Sequence, residues 1–337
     1  MSPAAGDELT VGLLGAGLIA GVHAHAYRES PGVRLVAVAD PVPGKADRIA
    51  DAHDAKVVPD LVAMLDLGVD VIDVCTPPTV HADATVAALE AGRHVICEKP
   101  IARTMAEARR VVAAADVAPG LLAIGHAARF EPDHKAARDL VAAGEIGDPM
   151  LLKHSTTSSL PGWTEAGWLA DPAMSGGPLV DQGVHSFDYA RWVLDSPAVR
   201  VHAMAADSGA GPSTYALATV RYANGAIAHV ECGWAHPPAR GFKLSAEIDG
   251  TQGRLTWSYD HMMSGVLYPH EGQPEWWDAM GDRGYTLELR TFFDAMRTGE
   301  PSPVPAREAM ESLRTALAAR ESARTGRTID LTTWEAL

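Results

Sequence analysis

An apolar run at residues 11–14 leads straight into Gly15-Ala16-Gly17-Leu18-Ile19-Ala20, and residues 19–29 then carry a helical pattern. A Gly-x-Gly-x-x-Ala turn between a strand and a helix constrains this chain more than any other feature, because that context belongs to the dinucleotide-binding βαβ unit. Gly15 permits the tight turn, Gly17 lets the backbone approach a pyrophosphate, and Ala20 is small enough for close helix–strand packing. Amides of the helix start, around Leu18 and Ile19, then face the diphosphate. Glycines kept for packing alone would spell the same turn, so the motif needs company.

That company is a repeated alternation. Residues 11–14, 35–39, 69–74, 94–97 and 121–124 read as buried parallel strands, with helices at 19–29, 59–67, 81–91 and 105–115 between them. The expectation is an α/β fold built on a doubly wound parallel sheet. A chain of 337 residues is long for one core, so a second domain is expected. From about residue 126 the texture changes, and all eight tryptophans lie beyond that point. Residues 215–222, 226–232 and 242–248 alternate in polarity and are joined by turn signals at Asn224-Gly225, Pro237-Pro238 and Asp249-Gly250, which predicts an antiparallel sheet. Helices are predicted at 134–143, 184–194, 285–298 and 307–325. The domains are placed at 1–125 and 126–337.

Asp40 ends the second strand, 25 residues after Gly15. A carboxylate there hydrogen-bonds the adenosine ribose and repels a 2′-phosphate, which favours NAD over NADP. Asp40-Pro41 would equally start a turn, and Arg48 stands near enough in sequence to meet a phosphate. Thr76-Pro77 closes another strand, where the nicotinamide half should pass, although Pro77-Pro78 would also simply stop it. Lys99 ends a third strand in Cys97-Glu98-Lys99-Pro100. A lysine is costly there unless its charge stays solvated or meets a partner, and Pro100 holds it out of the helical region. If all these strands share a sheet, Lys99 faces the dinucleotide crevice.

A second dense cluster runs from Gly176-Gly177 to Asp181-Gln182-Gly183-Val184-His185. Spaced by four, Asp181 and His185 face one way on a helix, and an imidazole beside a carboxylate is a suitable proton acceptor. The bland alternative is an N-cap and a buried structural histidine. His23 and His25 read as structural or close to the diphosphate, while His53, His202 and His270 show no constellation. No spacing of His, Cys and carboxylates suggests a metal site, and no Gly-x-Ser-x-Gly turn suggests a serine hydrolase. Cys75, Cys97 and Cys232 read as reduced and buried. With 43 acidic against 28 basic side chains the formal charge is −15, which argues against nucleic acid and anionic membranes as partners. No secretion signal or bilayer-spanning run is apparent, so a cytoplasmic protein is expected.

Together these segments resemble the glucose–fructose oxidoreductase, inositol dehydrogenase and rhizopine-catabolism (Gfo/Idh/MocA) family. The resemblance rests on the glycine turn, Ala39-Asp40-Pro41, Thr76-Pro77-Pro78-x-x-His81, Glu98-Lys99-Pro100, Gly176-Gly177 and Asp181-x-Gly183-x-His185. The hairpin Tyr222-Ala223-Asn224-Gly225-Ala226 and the tail Glu321-Ser322-Ala323-Arg324-Thr325-Gly326 extend it. It implies an N-terminal Rossmann domain and a C-terminal α/β domain with a large, mainly antiparallel open sheet used for dimer or tetramer assembly. It further implies that His81, Glu98 and Lys99 join Gly15, Gly17, Leu18, Ile19, Asp40, Thr76 and Pro77 around the cofactor, and that Lys99, Asp181 and His185 converge on the substrate.

Arg129, in Arg129-Phe130-x-Pro132, would line the substrate pocket. The implied reaction is hydride transfer between nicotinamide and a secondary alcohol or ketone of a sugar or inositol-like cyclitol. In it His185 takes the proton, Asp181 orients the imidazole or binds a neighbouring hydroxyl, and Lys99 stabilises the oxygen; the roles of Lys99 and His185 are exchangeable. Trp163 and Trp168 would stack on a sugar face, though most tryptophans simply fill cores. No arginine cluster accompanies the pocket segments, which favours a neutral polyol. Two other classes stay open: a glycosidase that oxidises its substrate transiently with NAD, and a non-catalytic regulator that binds NAD and a ligand.

Overall fold

Six parallel strands form the sheet that the glycine turn requires: β1 (Leu9–Leu14), β2 (Val33–Ala39), β3 (Lys56–Val57), β4 (Val71–Val74), β5 (His94–Glu98) and β6 (Leu122–Gly125). Their order is β3-β2-β1-β4-β5-β6. Every residue of β4 and β6 is buried, which is why the sequence shows continuous rather than alternating apolar runs. The helices are α1 (Leu18–Arg28), α2 (Asp47–His53), α3 (Leu61–Asp66), α4 (Pro78–Glu90) and α5 (Met105–Val117). Thr104 and Glu107 close a capping box on α5, and Pro78 opens α4 where its missing N–H costs nothing. The order reverses between β1 and β4, and the strand ends align there: Leu14 pairs with Ala39 and Val74, and Val74 with Cys97. Residues following these four ends share one edge of the sheet, the place where an open α/β sheet binds ligands. A computed structural model provides this description, for residues 8–159, 168–169, 171–206, 214–236, 242–259, 263–269, 275–277 and 284–335.

Beyond a 3-10 turn, η1 (Ala127–Phe130), the chain runs through α6 (Pro132–Ala142), β7 (Pro149–Thr157), α7 (Pro172–Ser175), α8 (Pro178–Asp181) and α9 (Gly183–Leu194). There follow β8 (Ala198–Ala206), β9 (Tyr215–Tyr222), β10 (Ile227–Gly233), β11 (Lys243–Gly250), β12 (Gly253–Ser258), β13 (Met263–Pro269) and β14 (Glu275–Trp277), then α10 (Gly284–Thr298), α11 (Ala306–Thr325) and β15 (Ile329–Asp330). Among the described residues these strands form a nine-stranded sheet, β14-β13-β12-β11-β7-β10-β9-β8-β15, whose only parallel pair is β7–β10. Hairpins occur at Asn224-Gly225 and after Asp249-Gly250, as the turn residues predict. The hairpin expected at Pro237-Pro238 is corrected. Those residues lie outside the described ones, and β7 separates β10 from β11 by pairing with both.

Two compact units result: Met1–Phe130 with Asp282–Met310, and Glu131–Gly281 with Glu311–Leu337. A single boundary after residue 125 does not include the return of the chain through α10. That helix belongs with the parallel sheet because its apolar face meets α1 and η1: Phe293 packs edge-on to Tyr27 at 6.0 Å, and Phe292 on Phe130 at 5.5 Å. Arg297 also donates to the carbonyls of Pro31 and Gly32 at 2.8 and 2.7 Å. Among the described residues no helix is long and apolar enough to cross a membrane.

Candidate active site

At Gly15 the backbone takes φ +99°, and its N–H donates to Ala39 O at 2.7 Å. A Cβ on Gly15 would stand 2.3 Å from Cys75 O, so only glycine lets the end of β1 lie this close to the end of β4. Gly17 caps α1 without any side-chain hydrogen bond, and a Cβ added there would meet nothing within 4 Å. The helix start is therefore an open cradle of amides, which fits a pyrophosphate. Ala20 is fully buried as the packing argument requires, while Leu18 is exposed. Asp40 stands at the end of β2 with Oδ2 accepting from Ala16 N and Oδ1 from Val42 N, both at 2.9 Å. Lys45 Nζ lies 3.7 Å from Oδ2. Oδ1, which accepts from Val42 N, has a second lone pair that suits a ribose hydroxyl.

The ends of β4 and β5 complete this edge. Pro77 caps α4. His81, buried on that helix, sits between the two strand ends, with Nε2 2.8 Å from Thr76 O and Nδ1 2.7 Å from Pro100 O, and the single N–H of its neutral ring donates to one of the two carbonyls. Burial pushes its pKa down against the pull of the two carbonyls. Lys99 is half-buried, its peptide to Pro100 is cis, and its backbone N–H donates to Glu98 Oε2 at 3.1 Å. Gly15, Gly17, Asp40, Thr76, His81, Glu98 and Lys99 thus gather along the edge that the sequence motifs indicate.

Immediately behind it lies a cluster that no local spacing announces. His23 Nδ1 is 2.8 Å from Asp73 Oδ2 and 3.3 Å from Cys75 Sγ; Cys75 Sγ is 3.4 Å from Asp73 Oδ1, and Tyr27 OH donates to Asp73. On the far side of the ring, His23 Nε2 faces Glu98 Oε1 at 3.3 Å. The polar side-chain atoms of His23, Asp73 and Cys75 lie within 4.8 Å of one another, a grouping the sequence reading did not foresee. The one available signal was an acid, Asp73, inside an otherwise apolar strand.

In the second unit, Gly176 and Gly177 take φ +79° and +76°, and a Cβ on Gly176 would stand 2.6 Å from Val180 Cβ. This bend starts α8. Gln182 joins α8 to α9 with right-handed helical backbone, so Asp181 and His185 keep their four-residue spacing across the junction. Asp181 is buried and His185 half-buried. Sequence reasoning passed over Gln182, yet its Oε1 accepts from Gly233 N at 2.9 Å and its Nε2 donates to Ser158 Oγ at 3.1 Å. Beneath α9, Ser186 Oγ lies 2.8 Å from His154 Nδ1, and His154 Nε2 lies 3.1 Å from His134 Nε2. Burial lowers both histidines, His154 to about 4. Trp168 is half-buried, and Trp163 lies outside the described residues. Arg129, on η1, is buried with Nη1 2.9 Å from Glu308 Oε2.

Comparison with known proteins bears on the family and the fold. Residues 9–126 match the oxidoreductase family with an NAD-binding Rossmann fold, and residues 134–256 match the GFO/IDH/MocA C-terminal domain. The chain is 28% identical over 342 residues to scyllo-inositol 2-dehydrogenase (NAD(+)) of Bacillus subtilis, covering 96% of each protein. It is 33% identical over 244 residues to inositol 2-dehydrogenase 4 of Saccharopolyspora erythraea, covering 68% of this chain and 69% of the relative. The crystal structure of GenD2 from gentamicin A biosynthesis in complex with NAD superposes with a TM-score of 0.86 at 27% identity, over 98% of each chain.

Proposed function

Because this chain belongs to the Gfo/Idh/MocA family of NAD-binding oxidoreductases, we propose that it is an NAD-dependent dehydrogenase of a neutral cyclitol or sugar, acting at one secondary alcohol. The observation that carries this reading is the shared edge of the parallel sheet, where the open cradle at Gly17, the Asp40 carboxylate and Lys99 follow aligned strand ends. Relatives named as inositol 2-dehydrogenases support a cyclitol as first choice.

NAD, when bound, supplies the acceptor for the hydride that leaves the alcohol carbon. The chain's own groups handle the rest. Amides after Gly17 hold the diphosphate, Asp40 takes the ribose hydroxyls, and Thr76, Pro77 and His81 shape the nicotinamide end. As the alcohol is oxidised its oxygen becomes more negative, and Lys99 stabilises that oxygen while His185 removes the proton and Asp181 orients the imidazole. Trp168 offers a ring to the substrate; Arg129, paired with Glu308, is assigned to holding η1. Assembly into a dimer or tetramer belongs to the same proposal and is checked by light scattering.

The test is turnover. Reduced-cofactor absorbance on a panel of inositols and neutral sugars with NAD should give a signal, and Lys99→Ala and His185→Ala should each lower kcat about 10²–10⁴-fold with the fold intact by circular dichroism. Turnover in Lys99→Ala within a few-fold of the parent overturns the assignment.

A further inference from the structure

The buried cluster behind Lys99 is larger than packing requires. His23, Asp73 and Glu98 are three titratable groups with little or no exposure, brought together from α1, β4 and β5. His23 Nδ1 meets Asp73 at 2.8 Å, and His23 Nε2 faces Glu98 Oε1 at 3.3 Å. Among the described residues neither Nε2 nor Oε1 makes a hydrogen bond, and the 3.3 Å ion-pair contact is what each has to offset its burial. A neutral imidazole has one N–H. Donated to Asp73, it would leave a bare nitrogen lone pair pointed at a carboxylate oxygen in a medium where water cannot intervene. Asp73 is already served by Tyr27 OH and the Cys75 thiol. Glu98 turns its other oxygen to the Lys99 amide at 3.1 Å, and Gly125 at the end of β6 makes room for it: a Cβ there would stand 3.0 Å from Oε1.

We infer that His23 is a buried imidazolium that bridges Asp73 and Glu98 and, through Glu98, positions Lys99 for the reaction. This deepens the proposed function and rests on its assignment of Lys99. The cation couples the helix that opens at the glycine turn to the strand end that carries the lysine. Burial works against the charge, and the Asp73 carboxylate hydrogen-bonded at Nδ1 works for it, so the pKa of the ring lies above the ordinary histidine value. Among the described residues the other groups around the ring are Tyr27 on its own helix, Glu98 on β5 and Tyr285 on α10, whose ring lies 6.0 Å away; Glu288, three residues on along α10, is buried too. The rival arrangement has Glu98 protonated and donating to a neutral His23.

Nitrogen-15 spectra of the histidine rings in the full-length protein separate the two, with the His23 signals identified by their loss in His23→Gln. Both ring nitrogens of His23 should stay in the protonated range from about pH 6 to 9, the interval over which an ordinary histidine loses its proton. A neutral, single-proton ring at about pH 7 overturns the inference whatever the activity. Glu98→Gln keeps the size of the partner and supplies the donor that the rival needs. It should bring titration of the His23 ring down into the observed range, and a ring signature unaltered by this change also overturns the inference. His23→Gln should lower kcat about ten- to a hundredfold while the NAD dissociation constant, read by calorimetry, moves by less than about threefold. Unchanged kcat sinks the positioning role, and if this variant does not fold, the Glu98→Gln kinetics take its place with the same expectation. Lys99→Ala is read separately: if it retains turnover, the parent assignment fails while the state of the His23 ring still stands or falls on its spectrum.

Discussion

Asp40 holds the glycine turn from the β2 side, with one oxygen on Ala16 N and the other on Val42 N. The same carboxylate would repel a 2′-phosphate and accept from ribose hydroxyls, so Asp40→Ala should weaken NAD and relieve the bar against NADP. Charged-acceptor hydrogen bonds contribute about 1.5–3 kcal/mol, which sets the expected loss of NAD affinity at about ten- to a hundredfold. Calorimetric titration with both cofactors checks it, and an unchanged ratio of the two affinities would remove Asp40 from the cofactor site. Residues of this kind were legible because their signal is local: strand, glycines and acid lie within one short βαβ stretch. His23 and Asp73 were not. They sit 50 positions apart, and their partnership exists only once α1 is laid against β4.

Elements were legible where burial imposes a long period. α5, α9, α10 and α11 fall within a few residues of their expected bounds, and β9 coincides with its own, because each has a continuous buried face. α2 escaped notice: only Ile49 and Ala50 of its seven residues are buried, too few to mark a period. β3 is two exposed residues held by pairing with Ala37 and Val38. The place of β7 between β10 and β11 is a question of strand pairing, which adjacency in sequence does not encode. The junction of α8 and α9 shows what such pairing demands. Gln182 reaches the end of β10 through the Gly233 amide and the residue after β7 through Ser158. Gln182→Leu would leave the buried Gly233 N–H without its acceptor, at a cost of about 1–3 kcal/mol. A lowered thermal midpoint is expected, together with reduced kcat/KM from a displaced Asp181–His185 segment. Loss of stability with kinetics untouched would confine Gln182 to the fold.

At the scale of the whole molecule, its buried histidines oppose one another across neutral pH. His134 and His154 are held neutral, the first by burial and the nearby His154, the second by burial, which brings it to about 4. Once unfolded, both take up protons near the ordinary histidine value of about 6.5. Below that pH the unfolded chain binds more protons than the native one, so stability falls as pH drops from about 6.5 towards 4, by about 3 kcal/mol for His154. His81 and His94, both lowered chiefly by burial, add to the same acid limb. His23 has the opposite sign. Its raised pKa means that the native state keeps a proton which the unfolded chain has released, so its contribution is complete below about pH 6.5 and is lost as pH rises towards the native value. Cys75 and Tyr27, raised first by burial and next by Asp73, steepen that alkaline limb above their ordinary values. The thermal midpoint should therefore peak near about pH 6.5 and decline on both sides. In His23→Gln the decline between about pH 7 and 9 should flatten, whereas in His154→Asn the decline between about pH 6 and 4 should flatten and the alkaline side should not change. Scanning calorimetry of the three proteins across that range decides it: an alkaline limb equally steep without His23 would mean that the ring is already neutral in the native state.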